Sequence, residues 1–188
     1  WRQVVASKVE DGEKAEDFLA EQGKLFGKGF SFSGYERDLL AFGAGDGSFV
    51  DASGVSGIDS VGDGRAAVRA DFADDGDVDV FLRAMHGPAH PLFRNEVGSE
   101  LGGWLRIGLE GRESGRDAFG AMVRVANEGR VQAQVVDGGS GFLSQADRRL
   151  LFGLGGAQKI KSLEVVWPSG RVQRFTELPA RTSWRLVE

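Results

Sequence analysis

The chain has 188 residues, enough for one domain with a good core or for a domain with a smaller subdomain. Its formal net charge of −5 argues against broad electrostatic attraction to nucleic acid or to an anionic membrane, and no apolar run approaches the roughly 18 residues of a membrane-spanning helix. It contains no cysteine, which excludes disulfides, thiolate chemistry and metal sites built on cysteine.

The N-terminal part contains one predicted helix and then a stretch rich in glycine and phenylalanine. Residues 11–23, DGEKAEDFLAEQG, predict a short amphipathic helix with Phe18 and Leu19 on its apolar face and Gly23 suited to end it. The first residues lack the basic and then apolar pattern of a signal peptide. The helix and the glycine-rich stretch together form a predicted N-terminal segment, residues 1–34.

Residues 35–96 are predicted to form a small β unit. A hairpin is indicated at residues 39–54, LLAFGAGDGSFVDASG, because the GDG at 45–47 suits a tight turn between two apolar runs. The strand-like RAAVRADF at 65–72 then leads into an acidic loop, and a second apolar run follows that loop. Residues 95–103 are the predicted linker to the rest of the chain.

Residues 103–188 predict an antiparallel, all-β domain. Apolar and polar residues alternate in WLRIGLE at 104–110, in AMVRVANEGRVQAQVV at 121–136 and in SLEVVWPSGRVQRF at 162–175, and the last two contain the turn signals NEGR and PSG. SWRLVE at 183–188 adds a last strand. Short strands at hairpin spacing favour this class of fold.

The acidic loop, DFADDGDVDVF at 71–81, is dense in carboxylates. Calcium takes about six to eight oxygen ligands, which short loops supply from alternate residues, and Gly76 permits the bend that such a loop needs. An EF-hand would need a glutamate at the twelfth position, where Leu82 stands, and helical flanks, so the loop is not an EF-hand. The carboxylates at ligand spacing are Asp71, Asp75, Asp77 and Asp79.

This loop resembles the strand–loop–strand calcium motif of FG-GAP or VCBS-type propeller repeats, Asp-x-Asp/Asn-x-Asp-Gly-x-x-Asp. Ala73 stands where the motif has an acidic or amide ligand, and Asp74 is the candidate that would replace it. The resemblance implies a bound calcium ion. The alternative is that the aspartates only cap turns and keep the loop soluble.

Three later segments resemble the ASPIC/UnbV domain in order and spacing: DAFGAMVRV at 117–125, GGSGFLSQADRRLLFGLG at 138–155 and LEVVWPSGRVQ at 163–173. The resemblance extends from about residue 103 to residue 176. Such domains are known from cartilage acidic proteins, secreted bacterial proteins and enediyne biosynthetic clusters. They usually follow a complete propeller on the C-terminal side. This chain has room for one or two blades, so we expect a truncated relative whose blade-like strands pair with the ASPIC/UnbV strands in one sandwich-like body.

Two parts of the ASPIC/UnbV stretch have alternative interpretations. The glycine-rich segment predicts either a rigid crossover between strands or a ligand-binding loop, and Ser144 is a candidate N-cap for a short helical turn. Trp167, beside a proline turn, is predicted to be a core anchor, with an exposed platform for a sugar as the alternative.

The two histidines, His86 and His90, lie together in HGPAHP. On a helix their spacing would offer two nitrogens to one transition metal. Pro88 and Pro91 disfavour a helix, so such a site would need a loop that brings the rings together, and a surface loop is the simpler interpretation.

We therefore expect a mainly β protein: a short N-terminal helix, a partial FG-GAP-type blade and an antiparallel, sandwich-like ASPIC/UnbV domain. No nucleophile elbow, P-loop or dinucleotide fingerprint occurs in the sequence, so no organic cofactor is expected. The predicted function is a non-catalytic, calcium-stabilised module that binds a protein or glycan and is, as the resemblance implies, secreted or periplasmic. The alternatives are an enzyme or accessory protein of an oxidative or natural-product pathway, and a carbohydrate-binding module.

Overall fold

The computed structural model describes residues 20, 23–25, 28, 37–62, 64–84, 90–96, 102–139 and 141–188. This part of the chain is mainly β, as the alternating segments predicted. Of the predicted N-terminal helix, residues 20 and 23–25 are described and are helical, and the remainder lies outside the described residues. No helix within the described ranges is long and apolar enough to cross a membrane.

Twelve strands and one short helix follow one another along residues 37–62, 64–84, 90–96, 102–139 and 141–188. They are β1 (Ala41–Gly43), β2 (Phe49–Asp51), α1 (Ser53–Ser56), β3 (Gly64–Ala70), β4 (Asp79–Ala84), β5 (Leu92–Phe93), β6 (Gly103–Glu110), β7 (Met122–Asn127), β8 (Arg130–Val135), β9 (Leu150–Gly155), β10 (Ser162–Val166), β11 (Val172–Thr176) and β12 (Thr182–Val187). The hairpin predicted at residues 39–54 is confirmed by the pairing of β1 with β2, and Gly45 and Gly47 have positive φ in its turn.

The chain divides into two compact units, and the acidic loop belongs to the larger one. The first unit comprises Trp1–Arg65 and Leu82–Pro91, and the second comprises Ala66–Phe81 and Leu92–Glu188. The division therefore runs through β3 and β4, whereas the sequence predicted a linker at 95–103. Because the loop between β3 and β4 lies in the second unit, it can be described together with strands β6 to β12.

The strands of residues 103–188 form two sheets. One has the order β11-β10-β7-β8 and is antiparallel throughout, and the other has the order β12-β6-β9. The turn predicted at NEGR is confirmed, since Glu128 and Gly129 both have positive φ between β7 and β8. The predicted antiparallel character holds with one exception, because β12 runs parallel to β6.

The strands around the acidic loop form a sheet of their own. Its order is β3-β4-β5, and among the described strands none of β6 to β12 pairs with it. The expectation that blade-like strands pair with the ASPIC/UnbV strands is therefore wrong. The expected helical turn after Ser144 is also wrong, since residues 141–149, all described, contain turns and bends but no helix.

The core of the second unit lies between the two sheets of residues 103–188. Leu105 and Ile107 of β6 are completely buried, and so are the β9 residue Phe152 and, on the facing sheet, Leu163 and Val165 of β10. Trp167 is also buried, at 2% exposure, and its indole Nε1 donates to Gln173 Oε1 at 2.9 Å. Trp167 is therefore a core anchor, as predicted, and the sugar-platform alternative is excluded by its burial.

Glutamine side chains join the edges of the two sheets. On β8, Gln132 Nε2 donates to the carbonyl of Gly153 and Gln134 Nε2 to the carbonyl of Leu151, both at 2.7 Å and both on the edge strand β9. At the other edge, Gln173 Nε2 donates to the carbonyl of Val187 at 3.1 Å. The glutamines of β8 thus face inward, and the apolar residues that alternate with them face solvent: Val131, Ala133 and Val135.

Glu188 ties the end of β12 to the loop after β6. One of its carboxylate oxygens accepts from three successive main-chain amides, those of residues 112–114, at 2.7–3.0 Å. The other accepts from the hydroxyls of Ser114 and Ser169. Burial raises the pKa of the Glu188 carboxyl, but the hydrogen bonds of Ser169, Ser114 and Arg112 outweigh burial and lower the pKa to about 2.

We expect Glu188→Gln to change how stability depends on pH. Because the folded pKa is lowered from 4.5 to about 2, the ionised Glu188 contributes stability above pH 4.5, and this contribution is lost as the pH falls toward 2. Urea unfolding should therefore show a wild type that is more stable than Glu188→Gln at pH 7 and a difference that shrinks below pH 4.5. Glu113→Gln, an exposed change in the same loop, is the control. A difference that stays constant from pH 7 to pH 3 would contradict this role.

Candidate binding cleft

The first aspartate of the acidic loop organises the loop backbone. Asp71 follows β3 directly, and its two carboxylate oxygens accept from the amides of Asp75 at 3.1 Å and Gly76 at 2.8 Å. These bonds fold the chain back on itself within five residues, as aspartates at turn positions commonly do. The carboxylate therefore already satisfies two main-chain donors of the loop.

The last aspartate of the loop holds its two ends together. Asp79, only 1% exposed, accepts from the amide of Phe72 at 2.9 Å with one oxygen. Its other oxygen accepts from the amide of Asn95, just after β5, at 2.8 Å. Asp79 thus connects the start of the loop with the strand that pairs with β4.

Arg106 brings a positive charge to the same loop from strand β6. Since Leu105 and Ile107 point into the core, the alternation of the strand directs Arg106 to the opposite face. Its Nη2 lies 3.1 Å from Asp71 Oδ2, and its Nη1 is bonded to Asp74 Oδ1. The side chains of Arg106 and Asp71 are 3% and 2% exposed, so this is a buried ion pair.

Trp104, also on β6, lies against the bend of the loop. The guanidinium of Arg106 stands over its ring, 5.2 Å from the centroid, which is a favourable cation–π distance. Gly76 has a φ of +97°, and a Cβ at this position would overlap the indole ring. Both the backbone conformation and the contact with Trp104 therefore require glycine at position 76.

A cleft opens between the acidic loop, β6 and the glycine-rich segment. It consists of three adjoining hollows of about 400, 310 and 480 Å³, all of which are lined by Asp147 and Arg149. The Asp147 amide donates to the carbonyl of Arg69 at 3.2 Å, which fastens the glycine-rich segment to β3. Two features that are far apart in sequence, the acidic loop and the glycine-rich segment, thus both line one cleft.

Most of the charged side chains of the cleft are paired with one another. Arg149 Nη2 lies 2.6 Å from Asp147 Oδ2, and Arg149 Nη1 lies 3.5 Å from Asp74 Oδ1. Arg148 is bonded to Asp117 at 2.5 Å. The walls of the cleft therefore carry alternating charges rather than one sign.

The pKa values of two of these carboxyls are displaced downward. Burial raises the pKa of Asp147, but the hydrogen bonds and charge of Arg149 outweigh burial, and the pKa lies below its usual range. The hydrogen bond and charge of Arg106, with a smaller part from Arg149, lower the pKa of Asp74. Both carboxylates are therefore ionised at neutral pH.

The predicted calcium ligands are close together in the sequence of the loop but differ in how deeply they are buried. Asp71, Asp77 and Asp79 are buried, Asp75 is half-buried, and Asp74 is exposed. Their hard carboxylate oxygens are of the kind calcium prefers, so the chemistry of the donor set fits. Among the described residues, no group of three acidic or histidine side chains lies close enough together to hold a metal ion. Calcium binding therefore stays a prediction.

The histidine pair is only half within the described residues. His86 lies outside them, and His90 has both ring nitrogens about 3 Å from Nη1 of Arg83, at 3.1 Å and 2.9 Å. The transition-metal site at His86 and His90 therefore stays a prediction.

Sequence reasoning missed Arg106 and Arg149 as parts of the site. The alternation of Arg106 with apolar residues in WLRIGLE indicates a half-buried strand, and the alternation in ADRRLLF, which contains Arg149, indicates a solvated strand face. The available signal was the position of Arg106 in a strand with aromatic and aliphatic neighbours on both sides. Such a strand can be covered on both faces, and a charge in it then needs a partner.

Comparison with known proteins finds similarity for the C-terminal strands. Residues 111–188, which contain β7 to β12, match the family model "ASPIC and UnbV", in agreement with the resemblance of the three quoted segments. Cartilage acidic protein 1 of Mus musculus is 32% identical over 123 residues, which cover 61% of this chain and 18% of that protein. The Xenopus tropicalis protein of the same name is 33% identical over 114 residues, covering 59% of this chain and 17% of that protein.

The chain is thus related to cartilage acidic protein 1 over more than half of its own length. It spans less than a fifth of the length of these curated relatives. Strand β6, which carries Arg106 and Trp104, precedes the part that the family model matches.

We expect Gly76→Ala to destabilise the second unit by more than a positive φ alone explains. The left-handed backbone conformation destabilises alanine by about 1–2 kcal/mol. Displacing the Trp104 ring destabilises the fold by about another 1–3 kcal/mol. Gly170→Ala is the matched control, because Gly170 has a φ of +91° but open space around its Cβ. Urea unfolding monitored by tryptophan fluorescence measures both variants. Equal losses in the two variants would mean that the Trp104 contact does not constrain the loop.

Proposed function

We propose that this chain is a non-catalytic binding module of a secreted protein, that it contacts a protein partner with the cleft and its rim, and that calcium at the acidic loop stabilises it. The observation that carries the proposal is the pairing of most of the cleft's charges with one another. A catalytic acid or base needs a pKa near the working pH and a free path to its substrate. The displaced pKa values of Asp74 and Asp147 instead lie below their usual range, which suits fixed charges that orient a partner.

The rim of the cleft supports a protein partner rather than a small substrate. Phe72 lines one hollow and is exposed, and the exposed Phe119 lies under Arg148 at 5.7 Å. Phe142 and Leu143 project from the glycine-rich segment, with exposures of 68% and 92%. Exposed aromatics beside arginines are the composition of protein–protein contact sites.

Secretion is supported by the relatives, whose name refers to cartilage, and by the resemblance of the loop to FG-GAP-type repeats. In the proposal the β3–β4 loop is the calcium loop of such a repeat, retained without a complete propeller. Asp71, Asp75, Asp77 and Asp79 would hold the ion, and Asp74 is the candidate for the ligand missing at Ala73. A bound ion would tie the turns of the loop together and stabilise the fold in proportion to its occupancy.

Added calcium should raise the melting temperature, and chelator should lower it. At a calcium concentration about 100 times the Kd, the expected stabilisation is about 2.7 kcal/mol. Asp75→Ala should abolish the response, because it removes a half-buried ligand at the bend, whereas Asp137→Ala, an exposed aspartate outside the loop, should retain it. Differential scanning calorimetry in calcium and in chelator measures the shift. If the melting temperature of the unmutated protein is the same with calcium and with chelator, calcium stabilisation is refuted.

Phe142→Ser should weaken partner binding, because it removes a large apolar side chain that the glycine-rich segment exposes to solvent. Val131→Ser is the matched control, since Val131 on the outer face of β8 is 69% exposed against 68% for Phe142. The three proteins are immobilised and exposed to an extract of extracellular matrix, and retained proteins are quantified by mass spectrometry. The proposal expects a set of proteins retained by the wild type and Val131→Ser but depleted with Phe142→Ser. Equal retention by all three would exclude Phe142 as part of the contact surface.

A further inference from the structure

We propose that the guanidinium of Arg106 takes the place of a bound cation beside Asp71 and Asp74 and thereby limits how tightly the acidic loop binds calcium. The inference rests on the proposed calcium binding and concerns its control. While the guanidinium holds Asp71 and Asp74, a divalent ion competes with a fixed positive charge. Removal of that charge converts a weak calcium loop into a tighter one.

The contacts of Arg106 lie on the carboxylates that the loop would offer to calcium. Asp71 is the first ligand position of the loop, and Asp74 is the candidate for the missing third ligand. Arg106 Nη2 lies 3.1 Å from Asp71 Oδ2, and its Nη1 is bonded to Asp74 Oδ1. The same guanidinium therefore occupies both the best-placed ligand and the replacement ligand.

The oxygens of Asp71 have little capacity for a further cation. Oδ1 accepts from the Asp75 amide, and Oδ2 accepts from the Gly76 amide as well as lying beside Arg106. A carboxylate has about four lone-pair sites, of which these contacts use three. A calcium ion would have to share the remaining site at close range with a guanidinium, and two buried cations at that distance repel each other.

Arg106 cannot easily withdraw from the loop. Its backbone lies in the central strand β6, paired with Leu151 of β9 on one side and with Ser183 of β12 on the other. Its guanidinium stands over the Trp104 ring, which in turn contacts the bend at Gly76. The buried Nε of Arg106 has no hydrogen-bond partner in the described structure, so no other acceptor there draws the group away from Asp71 and Asp74.

Two further arginines approach the loop, but neither is placed like Arg106. Arg149 lies 3.5 Å from Asp74 and Arg94 lies 3.8 Å from Asp75, and both side chains are substantially exposed. Exposed ion pairs are screened by water and contribute little, whereas the charge of Arg106 acts inside the protein. The matched control for a change at Arg106 is therefore Arg185 on β12, an exposed arginine paired with Glu110 of β6 and not with an aspartate of the loop.

The test is terbium binding, because Tb³⁺ occupies calcium sites and its luminescence is excited through a nearby tryptophan. Trp104 touches the bend of the loop and is the natural donor. We expect Arg106→Gln to bind Tb³⁺ at least about tenfold more tightly than the wild type, since affinity at such sites follows the net charge of the ligands. Arg185→Gln should change the affinity by less than about twofold, because its charge lies outside the loop and is screened. Calcium should displace the terbium from each protein that binds it.

The outcomes separate this inference from the proposed calcium function. Equal Tb³⁺ affinity in the wild type and Arg106→Gln overturns the inference while leaving calcium binding intact, and binding by neither protein overturns both. Binding by Arg106→Gln alone upholds the inference and refutes calcium binding by the wild type. If Arg106→Gln does not fold, Arg106→Met decides, because its long, unbranched side chain fills similar space without the charge. Arg106→Met should then bind Tb³⁺ more tightly than the wild type, and equal affinity overturns the inference.

Discussion

The buried ion pair between Arg106 and Asp71 is the contact on which the arrangement of the site depends. Strand β6 has Leu105 and Ile107 in the core between the sheets, and its other face carries Arg106 to the acidic loop. A buried ion pair is not by itself a strong source of stability, because desolvation offsets most of the attraction. The ion pair instead fixes the position of the loop. If either partner moved away, the other charge would remain buried without a partner, so the loop has one low-energy position relative to β6.

That fixed position gives the cleft its shape. The loop and the glycine-rich segment, which is fastened to β3 through the Asp147 amide, both line the cleft. Arg149 contacts Asp147 of the glycine-rich segment and Asp74 of the loop, so the two are electrostatically linked as well as adjacent. A partner that engages the rim therefore meets a surface whose charges are already oriented, which reduces the entropy lost on binding.

Local patterns predicted the hairpins well, because turn residues and alternation act over a few neighbouring positions. Alternation could not tell which face of β8 is buried, and the glutamines rather than the valines face inward because they bond to carbonyls of β9. Nor could it predict the parallel pairing of β12 with β6, which joins residues 77 positions apart, such as Thr182 and Leu105. The acidic loop and the glycine-rich segment were both recognised, but their meeting in one cleft is a property of the fold, and Arg106 became part of the site only through it.

The glutamine bonds at the two edges of the sandwich have a consequence for recognition. An edge strand with unpaired carbonyls and amides is a template on which another chain can add a strand. Here Gln132, Gln134 and Gln173 already occupy carbonyls of β9 and β12, the outer strands of the three-stranded sheet. Strand addition at those carbonyls would first have to break three hydrogen bonds made within the protein. The edges at β9 and β12 are therefore protected against edge-to-edge self-association at those carbonyls.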